Sequence, residues 1–285
     1  MPIQTDPLTS EPYIRLPPPL SHIIVTPPRL TDPQTSSIIS PASPSLASTD
    51  SRDHLTVPAA DIAARTAALN DVAVYDWLES PPYPYSAADA ASFVRGGFED
   101  CRRIFTTLHS QPDGTNVRAW ADGCPFRDIR DTSALAPTSK DGESDVAQAP
   151  LVGDVMLSRY TYYEIQPAES NERRVARERN AALEAGGEEV VWGIGFWLSS
   201  THHKKGIMAI VVQTVLSEWA IPRMNLRVLM GSAFVGNAGS VAVMRKCGFK
   251  ELQTIEKGSV LLAESRGGGK RDIVVLRWER PGISS

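Results

Sequence analysis

Between Val190 and Leu198 the chain reads Val-Val-Trp-Gly-Ile-Gly-Phe-Trp-Leu, a run with no charged or hydroxyl side chain. A strand with one wet face alternates, so an unbroken apolar strand belongs inside a sheet covered on both sides. A polar turn follows, Ser199 to Lys205, and Gly206 then opens a run with apolar residues at 207, 208, 211, 212, 215, 216 and 219. That spacing is one stripe of a helix, predicted to lie on the sheet and to close near Ile221-Pro222. Gly193 and Gly195 are two apart and bare the same side of the strand, where a ligand or another chain can approach the backbone.

The pattern continues towards the C-terminus. Arg227 to Phe234 reads as a second strand. Asn237 is placed to cap a helix through Val241 and Met244 to Cys247, with Gly248 as the left-handed stop and Phe249 as its apolar contact. A final hairpin is expected, with one strand from Glu251 to Ala263, a turn at Gly267-Gly-Gly269 and a last strand from Asp272 to Trp278. Strand, helix, strand, helix, strand, strand is the order of an α/β or α+β sheet protein.

Upstream the signals are thinner. The chain has 285 residues and 22 prolines, and Pro33 to Ser51 holds seven Ser, two Thr and three Pro. Such a composition cannot offset its ordering entropy, so 33–51 is expected to be a disordered insertion and 1–19 a flexible leader to a domain over 20–281. His22 to Thr26 is a strand candidate ended by Pro27-Pro28. Asp61 to Leu69 has helical spacing, Pro81 to Tyr85 must be extended, and Ser86 is a candidate N-cap. Leu151 to Tyr163 reads as strand, and 167–187 as a charged helical insertion with a solvated face.

Composition removes several functions. A net charge of −4 and a pI near 5.8 provide no basic field for nucleic acid. No stretch approaches 18 apolar residues and the first 20 lack the core of a signal peptide, so no membrane contact is expected and the cytosol or nucleus is the expected compartment. Three separated cysteines, Cys101, Cys124 and Cys247, form neither a disulfide framework nor a metal pair, and His202-His203 has no third ligand at zinc spacing. No metal is expected. The turn before Gly206 is not a Walker loop, because no glycine stands five residues earlier and Gly-Ile follows where Lys-Ser/Thr is needed. It is nonetheless a strand-to-helix turn carrying Lys204 and Lys205, so an anion such as a pyrophosphate suits it; an ordinary loop with its lysines in water is the alternative.

Trp197-Leu198, then His203-Lys-Lys-Gly-Ile-Met208, then Gly236-Asn-Ala-Gly-Ser-Val-Ala-Val-Met-Arg-Lys-Cys-Gly-Phe249 resembles the GNAT acetyltransferases, in particular the ribosomal-protein N-terminal type. The first block is similar to that superfamily's Q/R-x-x-G-x-G/A acetyl-CoA loop and the second to its N-x-x-S-x-x-V-x-x-K-x-G-F helix. The resemblance implies one domain with a central mixed, mostly antiparallel twisted sheet, splayed at the cofactor site and flanked by helices. It implies acetyl-CoA as co-substrate, held by Trp197, Leu198, His203, Lys204, Lys205, Gly206, Ile207, Met208, Asn237, Ser240 and Lys246. His203 stands where Arg or Gln is usual and Met208 where Gly or Ala is usual, so a permanent charge is missing from the loop.

By the same resemblance Ser240 would protonate the departing thiolate and Asn237 would bind the pantetheine or position water. Their plain alternative is a helix cap and its first turn. For the base, counting forward from Phe249 points to Glu256 and counting back from Asp272 points to Glu264. The expected activity is transfer of acetyl to a primary amine, a peptide N-terminus or a small amine, by a monomer or homodimer. The competing class is a non-catalytic CoA-binding scaffold.

Overall fold

A computed structural model describes residues 3–43, 54–110, 119–135 and 146–282. Its first strands are β1 (Gln4–Thr5), β2 (Pro12–Arg15) and β3 (Ile23–Thr26), followed by the short pair β4 (Leu30–Thr31) and β5 (Ile38–Ile39). Helices α1 (Ala59–Asn70), α2 (Val72–Tyr75) and α3 (Ala87–His109) lead to β6 (Asp128–Asp131), β7 (Leu151–Arg159) and α4 (Asn171–Ala182). Then come β8 (Val191–Leu198), α5 (Ile207–Val215), α6 (Ile221–Met224), β9 (Val228–Phe234), α7 (Ala238–Lys246), β10 (Lys250–Ile255) and β11 (Ile273–Glu279). Nine strands form one sheet in the order β1-β2-β3-β6-β7-β8-β9-β11-β10. Every pairing is antiparallel except that of β8 with β9.

The apolar stripe behaves as its spacing requires. Ile207, Met208, Val211, Val212, Val215, Leu216 and Trp219 are all buried, each contributing about 1.5–3 kcal/mol by leaving water. The helix does not close at Ile221. It widens into a π-turn over Leu216–Ala220 and runs on through α6 to Met224, ended by left-handed Asn225. Pro222 has no N–H to give the ladder, which accounts for the irregular turn just before it. This run, Ile207–Met224, is long and apolar enough to pass for a membrane span, but 61% of it is buried inside the domain.

Helix α7 ends as expected: Phe249 N–H bonds Met244 O at 3.1 Å, Gly248 N–H bonds Arg245 O at 3.0 Å, and Gly248 has φ +90°. These are the two hydrogen bonds of a Schellman ending. Ser86 caps α3 in a full capping box with Asp89. The charged helix is shorter than its composition indicates, Asn171–Ala182, and it buries Arg173 and Asn180.

Three expectations need correction. The leader 1–19 is not loose: β1 and β2 belong to the main sheet, Ile14 and Leu16 are fully buried, and the Glu11 carboxylate pairs with Arg29 in the interior. Within 33–51, residues up to 43 are built into the fold, because Ile38–Ile39 pairs with Leu30–Thr31 and Ile39 packs on the cluster of Leu55, Val94 and Phe98; residues 44–51 lie outside the described residues. In the last hairpin β10 stops at Ile255, so 256–272 is a long connection, and Gly267–Gly269 sits inside it, away from any tight turn between strands.

Below the sheet, α1 is fastened by charge. Arg130 on β6 donates to Asp61 at 2.6 and 2.8 Å, Arg65 donates to Asp128 at 2.8 Å, and Asp154 on β7 lies 3.5 Å from Arg65. Burial opposes ionisation of Asp61, but the Arg130 guanidinium outweighs it and holds that carboxyl below the usual range. Burial wins at Asp128, whose carboxyl is pushed up to about 6 despite Arg65 and Arg130.

Candidate active site

The parallel pairing of β8 with β9 runs only from Val191↔Val228 to Ile194↔Gly231. Beyond it Gly195–Leu198 and Ser232–Phe234 keep their outer partners, β7 and β11, but not each other. The strands diverge there, and the gap is part of a cavity of about 820 Å³. A Cβ at Gly195 would meet nothing within 4 Å, so the backbone lies open as expected; at Gly193 it would stand 3.4 Å from the Tyr160 ring.

The far end of β8 leads into the turn and α5. Lys204 and Gly206 take positive φ, 60° and 76°, and Gly206 caps α5 without a side chain, so no side chain blocks the first-turn amides of Ile207, Met208 and Ala209. This is the geometry that binds an anion. The turn is held from two sides. Asp71, the N-cap of α2, accepts a hydrogen bond from Ser200 that keeps its carboxyl below the usual range. On the other side His202 Nε2 lies 3.1 Å from Asp131 Oδ2 at the end of β6. His203 Nε2 bonds the Leu198 carbonyl at 2.8 Å, so this ring braces the turn.

Asn237 caps α7 by accepting from Ser240 N–H at 3.0 Å. The cap uses the serine's backbone, not its hydroxyl, and both residues line the cavity. Trp197, Leu198, His203, Lys204, Gly206, Ile207, Met208 and Lys246 line it as well; Lys205 is exposed and outside the lining. Gly231 packs against this helix, and a Cβ there would press on Met244 Sδ. Cys247 at the helix end is packing: burial pushes its thiol up to about 11 and its S–H points at Ala209 O. The two candidate bases fare differently from the rest. Glu256 and Glu264 are exposed and neither belongs to the cavity wall.

The opposite wall was not foreseen. It is the segment Trp77–Pro81 after α2, and the long connection 256–272 holds it in place. Arg266, 8% exposed, donates to the carbonyls of Tyr75 at 2.6 Å, Glu79 at 3.0 Å and Leu78. Arg271 adds bonds to Asp76. An arginine beside three glycines carries no periodic signal, so only the folded chain reveals the clamp. Among the described residues no group of three or more His, Cys, Asp or Glu is placed to hold a metal ion.

A parallel strand pair that splays over a bare glycine and ends in an amide-lined helix start is accompanied by a family match: residues 150–250 fit the model of the acetyltransferase (GNAT) domain. Over residues 150–250 this chain is similar to the GNAT acetyltransferase domain. No curated protein matches it in sequence. Among solved structures the GNAT fold recurs in Mycobacterium smegmatis RimJ in complex with CoA-disulfide, 14% identical, over 96% of this chain and 89% of that chain, with a TM-score of 0.51. It recurs in apo RimL, the ribosomal L7/L12 alpha-N-protein acetyltransferase, 12% identical, over 98% of this chain and 99% of that chain, with a TM-score of 0.51. At these identities the likeness is one of fold.

Proposed function

We propose that this GNAT domain binds acetyl-CoA in the β8–β9 gap and transfers the acetyl group to a primary amine by direct attack. The observation that carries the reading is the pairing that ends at Ile194 and Gly231, leaving strand edges for an extended pantetheine arm and the α5 amides for its pyrophosphate. The amine attacks the thioester carbonyl, the C–S bond breaks, and the thiolate leaves beside the N-terminus of α7. A thiol's free pKa of about 8.5 makes a hydrogen bond at that point useful, and Ser240, which lines the cavity in the first turn of α7, is the hydroxyl we assign to it. The helix end stabilises the developing negative charge. Protein N-termini and small amines both remain in the acceptor class; the fold shared with RimL, a ribosomal L7/L12 alpha-N-protein acetyltransferase, supports the former.

The test is calorimetry with acetyl-CoA followed by thiol release in the presence of a pool of alkylamines and short peptides. Ser240→Ala should lower kcat by about tenfold to a thousandfold with acetyl-CoA affinity nearly unchanged. Unchanged turnover removes Ser240 from the mechanism. A wild type that binds acetyl-CoA and acetylates no amine is the scaffold of the competing reading.

A further inference from the structure

The transfer needs a proton acceptor, because an amine reaches the site at neutral pH mostly as an ammonium, with an α-amino pKa of about 7.7–8.0. Glu79 is the one carboxylate among the described residues that line the cavity. Resting on the acetyltransferase reading above, we propose that Glu79 receives the acceptor's ammonium and takes its proton.

Position supports this. The cavity follows β8 from the α5 amides back to Gly193, five residues or about 16 Å of strand. Gly193 faces Tyr160, the rings of Tyr160 and Tyr163 lie 6.2 Å apart by centroid, and the Tyr163 hydroxyl donates to Glu79 Oε2. Glu79 therefore stands at the end opposite the proposed pyrophosphate, where an acceptor would enter. Its other oxygen accepts from Val260 N–H at 2.5 Å, and its own carbonyl is gripped by Arg266. Two separate segments, Tyr163 and the 256–272 connection, hold this one residue by side chain and backbone, which is more than an exposed surface glutamate needs.

Charge is assigned by the neighbours. Burial and the adjacent Glu79 push the Tyr163 phenol above its usual range, so Tyr163 keeps its proton and donates a hydrogen bond to the Glu79 carboxyl. Arg173 lies over the Tyr163 ring at 4.9 Å, Tyr160 donates to Glu164, and Asp76 is paired with Arg271. From β8 the facing residues, Gly193 to Gly195, carry no charge. Each Glu79 oxygen has accepted one hydrogen bond and retains a lone pair, so the ammonium has a place to dock. The proton moves from the ammonium to the Glu79 carboxylate and then to water. The neutral amine forms the C–N bond, and the second proton, released as the C–S bond breaks, ends on the CoA thiol.

Glu79→Gln keeps the size of the side chain and an oxygen for Val260 N–H. Its kcat/KM for an amine that the wild type acetylates should fall by about a hundredfold or more at a pH near 6.5. The deficit should shrink to less than about tenfold once the pH is well above the amine's own pKa, near 9.5 for a peptide α-amine, where the amine arrives already neutral. Glu79→Asp should recover part of the rate, and acetyl-CoA affinity by calorimetry should stay within about twofold in both variants. A merely structural role predicts a pH-independent loss or a loss of acetyl-CoA binding, and either result overturns the proposal, as does full activity of Glu79→Gln. If the wild type acetylates no amine, the acetyltransferase reading falls and takes this one with it; if the wild type is active and Glu79→Gln matches it at every pH, only this one falls.

Discussion

Around β6 and α1 the interior is ionic, with Asp61, Arg65, Asp128, Arg130 and Asp154 no more than 4% exposed, whereas around β8 and α5 the interior is a continuous apolar layer. Both regions lie on one sheet, but they are held by different forces. The apolar layer is non-directional and tolerates small shifts. The ionic cluster stabilises only if every partner stays in place, since a buried charge without its counter-charge costs several kcal/mol. In the half that carries the proposed cofactor site, stability and function are thus separable, because packing holds the strands while backbone amides and a few polar side chains line the cavity. In the other half they are not, because α1 supports the cavity wall through its charges.

The largest break in this comparison should come from Arg130→Met, which strands Asp61 and takes from Asp128 one of its two arginines. A loss of about 3–5 kcal/mol is expected in urea unfolding, and the double variant with Asp61→Leu should lose less than the sum of the two single changes. Next in size is Gly206→Leu. Space around this residue is open, so the cost in stability is only that of a left-handed side chain, about 1–2 kcal/mol, while a chain lying over the α5 amides should weaken acetyl-CoA binding by about tenfold or more. Equal affinity in calorimetry would remove the anion site. The smallest effect belongs to Asn237→Ala, about 1 kcal/mol from the lost α7 cap, read as a lower melting temperature. If turnover per folded molecule drops as well, Asn237 does more than cap.

The same contrast decides what could be read before folding. The helix stripe from Ile207 to Trp219, the Schellman ending at Gly248 and the open Gly195 were legible because apolar periodicity and positive-φ glycine are local signals. So were most of the residues that line this side of the cavity. The leader was misread because Glu11 and Arg29, 18 positions apart, place burial in a segment with little apolar content, and pair choice at that range leaves no trace in periodicity. The two candidate bases, Glu256 and Glu264, lie off the cavity wall for a related reason. Counting along the last hairpin assumed that Glu251 to Ala263 was one strand, but β10 ends at Ile255 and the connection crosses to Trp77–Pro81. Glu79 sits in a proline-rich loop and meets Tyr163 across 84 positions, so only tertiary structure reveals it.

Sheets are vulnerable at their borders, where unpaired strands recruit other strands. By parting after Ile194 and Gly231, β8 and β9 create two such borders in the middle of a nine-stranded sheet, facing each other across a slot. Each is backed by a paired neighbour, so neither can swing out to meet another protein. What can enter is something no wider than one chain, extended, with donors and acceptors spaced like a backbone. The slot is therefore a filter for shape, and the weakness that would make an outer strand prone to aggregation becomes selectivity when it is turned inward.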